Sequence, residues 1–249
     1  MKMTSRLVFQ NELEKLNEEV ARMAGLANQA IEAAVRCIVD KDARLKPEVE
    51  RLDREIYSLE QVIEKHCLDV IALHTPVASD LRTVSTCLKI ITDLNRIGRY
   101  ASDIVESYEV LAGSNDFARM VNIDRMAELV VGMVTDATQS FIKRDPESAR
   151  QLFERDDEVD CLYDTNFRAV VTYMIEDPRK ITAGTHIILV SRYLERIADH
   201  SCNIGERVWY MVTGERLNPK DRKKDRGSCN ADIREIPGYG GSSHELEEK

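Results

Sequence analysis

The chain carries one tryptophan in 249 residues, 6% aromatics, and only six prolines. Scarce proline leaves long stretches free to run as uninterrupted helices. Long apolar runs are missing too. The uncharged segment Ile181–Ser191 falls well short of the roughly 20 residues that a membrane-spanning helix needs. The start, Met1–Phe9, has no apolar core of the signal-peptide kind. The six cysteines (Cys37, Cys67, Cys87, Cys161, Cys202 and Cys229) are scattered, with no C-x-x-C pair. Most fall within helical patterns, where cysteine serves as a small buried hydrophobe. That favours a reducing cytoplasmic location over a secreted disulfide scaffold. Basic charge is also in deficit: 35 Lys and Arg stand against 44 Asp and Glu, for a net charge of −9. A general nucleic-acid binder needs a basic footprint, so no nucleic-acid partner is expected. There is no Walker A loop, G-x-S-x-G, H-E-x-x-H or E-x-x-H, and no nucleophile set beside a base.

What is present is a duplicated helix. Leu94–Glu106 aligns without gaps to Leu194–Glu206 at a constant offset of 100 residues, with Leu, Arg, both Ile and the final Glu identical. A repeat of this kind sets the architecture before anything else. The 43% hydrophobic and 32% charged content suits amphipathic helices. Six are predicted. The first runs from about Val8 to Asp40, with Leu13, Leu16, Val20, Met23, Ala27, Ala30, Ile31 and Ala34 at three- and four-residue steps. The second opens near Pro47 and ends before Pro76; the third covers Ser79 to Leu111. Gly113–Asp116 is the expected boundary between halves. The fourth spans Ile123–Lys143, the fifth starts at Asp145-Pro146 and ends before Asp177-Pro178, and the sixth reaches Val212 with Gly214 as its stop. The expected fold is therefore all-α, two tandem antiparallel three-helix bundles: residues 8–115, residues 116–216, and a charged, Gly/Ser-rich tail over 217–249.

Carboxylates are the candidate chemistry. Glu195 and Asp199 are one turn apart on the sixth helix, on the side away from the apolar Ile197 and Ile204. Asp156, Asp160 and Asp164 form a second ladder on the fifth helix, and an αα-hairpin would bring the two ladders together. Converging carboxylates repel and are a natural seat for a cation with hard oxygen ligands. The competing reading is a solvated acidic face with Arg192 and Arg196 as ordinary surface partners, each pair worth a few tenths of a kcal/mol. Spacing alone favours that face. His200 adjoins Asp199 but turns about 100° away and reads as a polar helix residue. His66, His74 and His186 have no evident partners in sequence, and Trp209 and Tyr210 read as packing anchors.

Two segments resemble the signatures of the PhoU family. Pro76-Val77-Ala78-Ser79-Asp80-Leu81-Arg82, with Leu88-Lys89-Ile90 and Asp93-Leu94-Asn95-Arg96-Ile97, resembles the first; Arg192–His200 with Asn203-Ile204 resembles the second. Asp156–Asp160 and Val212–Glu215 resemble further family segments, and the likeness spans roughly residues 8–216. It implies a cytoplasmic, non-enzymatic accessory protein of phosphate homeostasis. Such a protein restrains a phosphate transporter through its ATPase subunit, and a sensor histidine kinase, by protein contact. It would meet the membrane only through partners, and a homodimer is compatible. It also implies metal held by paired E/D-x-x-x-D motifs, which puts a metal ahead of the solvated face in the second half. The ligands would be Asp156, Asp160, Glu195 and Asp199, and the ion divalent or trivalent: iron, manganese, zinc or magnesium. In the first half the matching positions read Asp53/Tyr57 and Asn95/Arg99, so the fixed charge of Arg99, pairing with Asp53, Asp93 or Asp103, is expected to replace an ion. The runner-up is a metal-dependent hydrolase or oxidase in a helical bundle.

Overall fold

The computed structural model describes residues 2–113 and 121–217, and the described residues contain helices and no strand. Six long helices carry the fold: α1 (Lys2–Val39), α2 (Leu45–His74), α3 (Ser79–Glu106), α4 (Ile123–Lys143), α5 (Pro146–Glu176) and α6 (Ile181–Thr213). The apolar stripes predicted from spacing are buried. On α1, Leu16, Val20, Met23, Ala27, Ala30, Ile31 and Ala34 are all in the core, and the alanines let neighbouring helices come close.

Local chemistry sets the helix ends. Asp145 caps α5 by accepting from the Glu147 and Ser148 amides, with Pro146 at the first helical position. Arg144 just before it takes a left-handed conformation, which turns the chain from α4 into α5. At the far end, Gly214 (φ 78°) closes α6 by donating its N–H to the Tyr210 carbonyl, as its position predicts. The third helix departs from expectation. It stops at Glu106 rather than Leu111, and a short helix, Tyr108–Ala112, follows. Neither Gly nor Pro marks the break; Ser107 is buried there, its hydroxyl lying 3.1 Å from His186 Nδ1. The inter-half boundary runs into residues 114–116, which lie outside the described residues, as does all of the tail except Leu217. Leu217 is buried, so packed chain extends one residue into the segment assigned to the tail.

Within each half the helices form an antiparallel three-helix bundle, α1–α2–α3 and α4–α5–α6. The halves join lengthwise, α3 against α6 and α1 against α4. Across the first seam Asp93 meets His200 and Arg207, Tyr100 meets Tyr193, and Ser107 meets His186, so α3 and α6 run antiparallel. The α1–α4 seam includes an Asn28 to Thr135 hydrogen bond of 2.8 Å. The duplicated helix is thus the central pair of the molecule, its two copies crossing about a pseudo-twofold axis.

Candidate functional site

The α5–α6 hairpin brings together the four carboxylates named from sequence. Asp156 and Asp160 approach from α5; Glu195 and Asp199 approach from α6. Their proximity registers in their acidities. Burial, then repulsion from Asp160 and Asp199, pushes Asp156 up to about 7. Glu195 is also raised, first by burial and further by Asp199 and Asp160, against the opposing pull of Arg192 and Arg196. Cys202 completes the edge of the cluster. Its thiol is pushed up by burial and by the charges of Asp156 and Asp199, and its Sγ lies 3.7 Å from the Leu152 carbonyl. Asp164, the third rung of the ladder, is exposed.

The arginines that favoured a solvated face are also in place. Arg192 donates to Glu195 Oε1, and Arg196 lies 3.6 Å from Asp199. They do not satisfy the cluster. Glu195 Oε2 is buried with no hydrogen-bond partner, and an unsatisfied buried carboxylate oxygen is costly. Among the described residues no three His, Cys, Asp or Glu side chains stand in metal-holding geometry. The oxygen donors suit a hard cation in chemistry and charge, while Arg192 engages Glu195 Oε1.

The first half solves the same problem with a fixed cation. Asp53, only 7% exposed, is the counterpart of Asp156, and Arg99 donates to its Oδ2 at 3.1 Å. Of the three acids open to Arg99 in sequence, Asp53 is the one it pairs with. Tyr57 points out, half exposed. Asp103 is nearby and raised by burial and by Glu106, with Arg99 opposing. Asp93 has a different task. It is 4% exposed, accepts from His200 at 2.9 Å and forms an ion pair of 2.9 Å with Arg207, both from the other half. His200 therefore ties the halves together, a role that its place beside Asp199 did not reveal. The signal was available: Thr86, Asp93, Tyr100 and Ser107 recur every seven residues, as do His186, Tyr193, His200 and Arg207. His66, without an evident partner in sequence, bonds Glu12 and Glu19.

Comparison with known proteins agrees with this duplicated plan. The PhoU domain matches twice, over residues 20–108 and 123–208. A phosphate-specific transport system accessory protein PhoU homolog of Aquifex aeolicus is 41% identical over 204 residues, 82% of this chain and 92% of that protein. The crystal structure of PhoU from Pseudomonas aeruginosa superposes with a TM-score of 0.76 at 34% identity, covering 83% of this chain and all of that one. The phosphate transport system regulatory protein PhoU from Streptococcus pneumoniae gives the same TM-score at 25% identity, covering 84% and 99%.

Proposed function

The chain belongs to the PhoU family, and on that premise we propose that it is a regulatory accessory protein of a phosphate-specific transport system. It acts by contact rather than turnover, on the transporter's ATPase subunit and on a sensor histidine kinase where one is present, at the cytoplasmic side of the membrane. The observation that carries this reading is the double family match laid over a duplicated six-helix frame. No helix among the described residues is long and apolar enough to cross a membrane, in keeping with attachment through partners. The likenesses lend nothing to a metal-dependent hydrolase or oxidase.

The second half is assigned a divalent or trivalent cation held by Asp156, Asp160, Glu195 and Asp199. Oxygen donors suit magnesium, manganese, iron or zinc. Bound there, a cation would neutralise the cluster and cross-link α5 to α6. The chain's own residues contribute the rest. Asp156, pushed up to about 7 by burial and by Asp160 and Asp199, would shed its proton as an ion binds. Glu195 Oε2 offers an unused acceptor, and Arg192 and Arg196 hold the two α6 carboxylates in place without engaging it. In the first half the Arg99–Asp53 pair makes an ion unnecessary.

Deletion of the gene tests the regulatory reading: phosphate uptake or its control genes should be derepressed in phosphate-rich medium. Unchanged uptake and expression in rich and starved cells would refute it. For the metal, elemental analysis of Glu195→Ala/Asp199→Ala protein should show none, while Asp53→Ala/Asp93→Ala protein should retain what the wild type holds.

A further inference from the structure

The N-terminal arm of α1 is attached to the bundle in an unusual way. None of its described side chains is buried before Leu16; Leu7 and Val8 are exposed, and Phe9 and Leu13 are only partly buried. Phe9 rests on the ring of His74 at the end of α2, with centroids 5.5 Å apart. Beside this contact the α2–α3 turn displays Leu73 at 79% and Val77 at 72% exposure. Two polar contacts, both to His66, pin the arm to α2. His66 Nε2 lies 2.8 Å from Glu12 Oε2, and its Nδ1 lies 2.8 Å from Glu19 Oε2. Glu12 and Glu19 are two turns apart on α1, so both face the same imidazole.

Proton counting decides the state of that ring. A neutral imidazole has one N–H and one lone pair. It can donate to one carboxylate, but its other nitrogen would then aim a lone pair at the second. Two contacts of hydrogen-bond length to two carboxylates need the imidazolium, which donates from both nitrogens. We infer that His66 is a proton-dependent clasp that holds the arm of α1, residues 6–19, against α2, and that loss of its proton loosens the arm. Loosening would uncover Phe9, Leu13 and the α2 surface beneath them, next to the apolar turn.

The surroundings agree. Burial by itself lowers the affinity of His66 for its proton, but the bonds to Glu19 and Glu12 outweigh it and raise His66 above its ordinary value. From α1, Lys15 also bears on the group through its ion pair with Glu12, at 2.8 Å. From α3, the buried Cys87 thiol, whose first partner is the Cys67 thiol of α2, feels the Glu19 charge. Neither Lys15 nor Cys87 competes for the two nitrogens. The sign follows: a raised histidine contributes fully below about 6.5, and its contribution is lost as pH rises through the higher, folded-state value.

Backbone hydrogen exchange on the full chain tests the clasp, after correction for intrinsic rates. Protection of residues 6–19 should fall roughly 10-fold between pH 6.0 and pH 8.5, as expected for losing one charge-assisted bond, while α4 stays constant. His66→Gln should leave the arm poorly protected at both pH values. His66→Lys should keep protection and flatten its pH dependence. The imidazole of His66, followed by NMR, should titrate above 6.5, and lower in Glu12→Gln/Glu19→Gln, a variant that leaves His66 itself intact. Constant wild-type protection, persistence of the pH dependence in His66→Gln, or titration of His66 at or below its ordinary value would each overturn the inference.

Discussion

Asp156→Asn is the sharpest test of the carboxylate cluster. In the unfolded chain this acid titrates at 3.8; folded, it is pushed to about 7 by burial and by Asp160 and Asp199. Between those values the folded state holds more protons than the unfolded one. Stability of the metal-free protein therefore declines as pH rises from about 4 to about 7. The gap corresponds to about 4 kcal/mol at most, at 1.36 kcal/mol per unit, and water entry into the half-buried site reduces it to roughly 2–4 kcal/mol. Asparagine keeps the shape and removes the charge. In chelator at pH 8 the variant should be more stable than wild type by that amount, a rise in Tm of about 5–10 °C for a chain of this size. At pH 4.5 the gap should shrink to about a quarter of that. Urea denaturation at both pH values, with matched m-values, gives the measurement. In excess divalent cation the order should reverse, because wild type gains binding energy that the variant forfeits. Equal or lower stability of the variant at pH 8 in chelator, or the same increment at both pH values, would refute the charge argument.

Three further outcomes are expected. Asp93→Ala removes the acid shared by His200 and Arg207 across the seam, and should cost about 2–4 kcal/mol in chemical denaturation, with helical content by circular dichroism unchanged. Gly205→Ala places a Cβ 2.8 Å from the Ala149 carbonyl oxygen and 2.9 Å from Leu152 Cδ1; backbone cannot yield as a side-chain tip can, so a loss of about 1–3 kcal/mol should appear as a lower Tm. Ending the chain after Leu217 should leave Tm within about 1–2 °C, since apolar periodicity is lost beyond it.

Helix number, order and most ends were legible because they depend on local rules. The Asp145-Pro146 cap and the Gly214 stop are written in single residues whose backbone preferences admit little else. The pairing of α5 with α6 was legible because a short turn sets adjacent helices side by side, which leaves Asp156 and Glu195 under the influence of Asp160 and Asp199. What escaped depends on register between distant helices. Ser107, where α3 ends, has its hydroxyl 3.1 Å from Nδ1 of His186, 79 residues away; no breaker residue marks the place. Asp93 read as one of three acids open to Arg99, yet its partners lie on α6, at 2.9 Å each. His66 had no evident partner in sequence, and only the packing of α1 on α2 sets Glu12 and Glu19 either side of it. A seven-residue spacing hints at such seams but does not name the partner.

The divergence of the two halves can be run backwards. Arg99 supplies to Asp53 the charge that the cation is assigned to supply to Asp156, and its side chain is 60% exposed against 11% for the aspartate, so the buried partner depends on it more than it depends on the partner. Arg99→Asp should therefore recreate the situation of the second half. Asp53 would face a like charge where it now has a cation, and Asp103 would lose the one influence that holds it down. The variant, in chelator, should lose stability relative to wild type at pH 8 and regain most of it near pH 5. Adding Tyr57→Asp and Asn95→Glu supplies the remaining ligand types at the matching positions, and added manganese should restore stability at pH 8. Elemental analysis should then find about twice the metal of wild type, as expected for two carboxylate sets of equal donor type. If wild type binds metal through Glu195 and Asp199 but the triple variant takes up no more, then charge neutralisation by Arg99 is not what separates the two halves, and the difference must lie in how closely α2 and α3 approach.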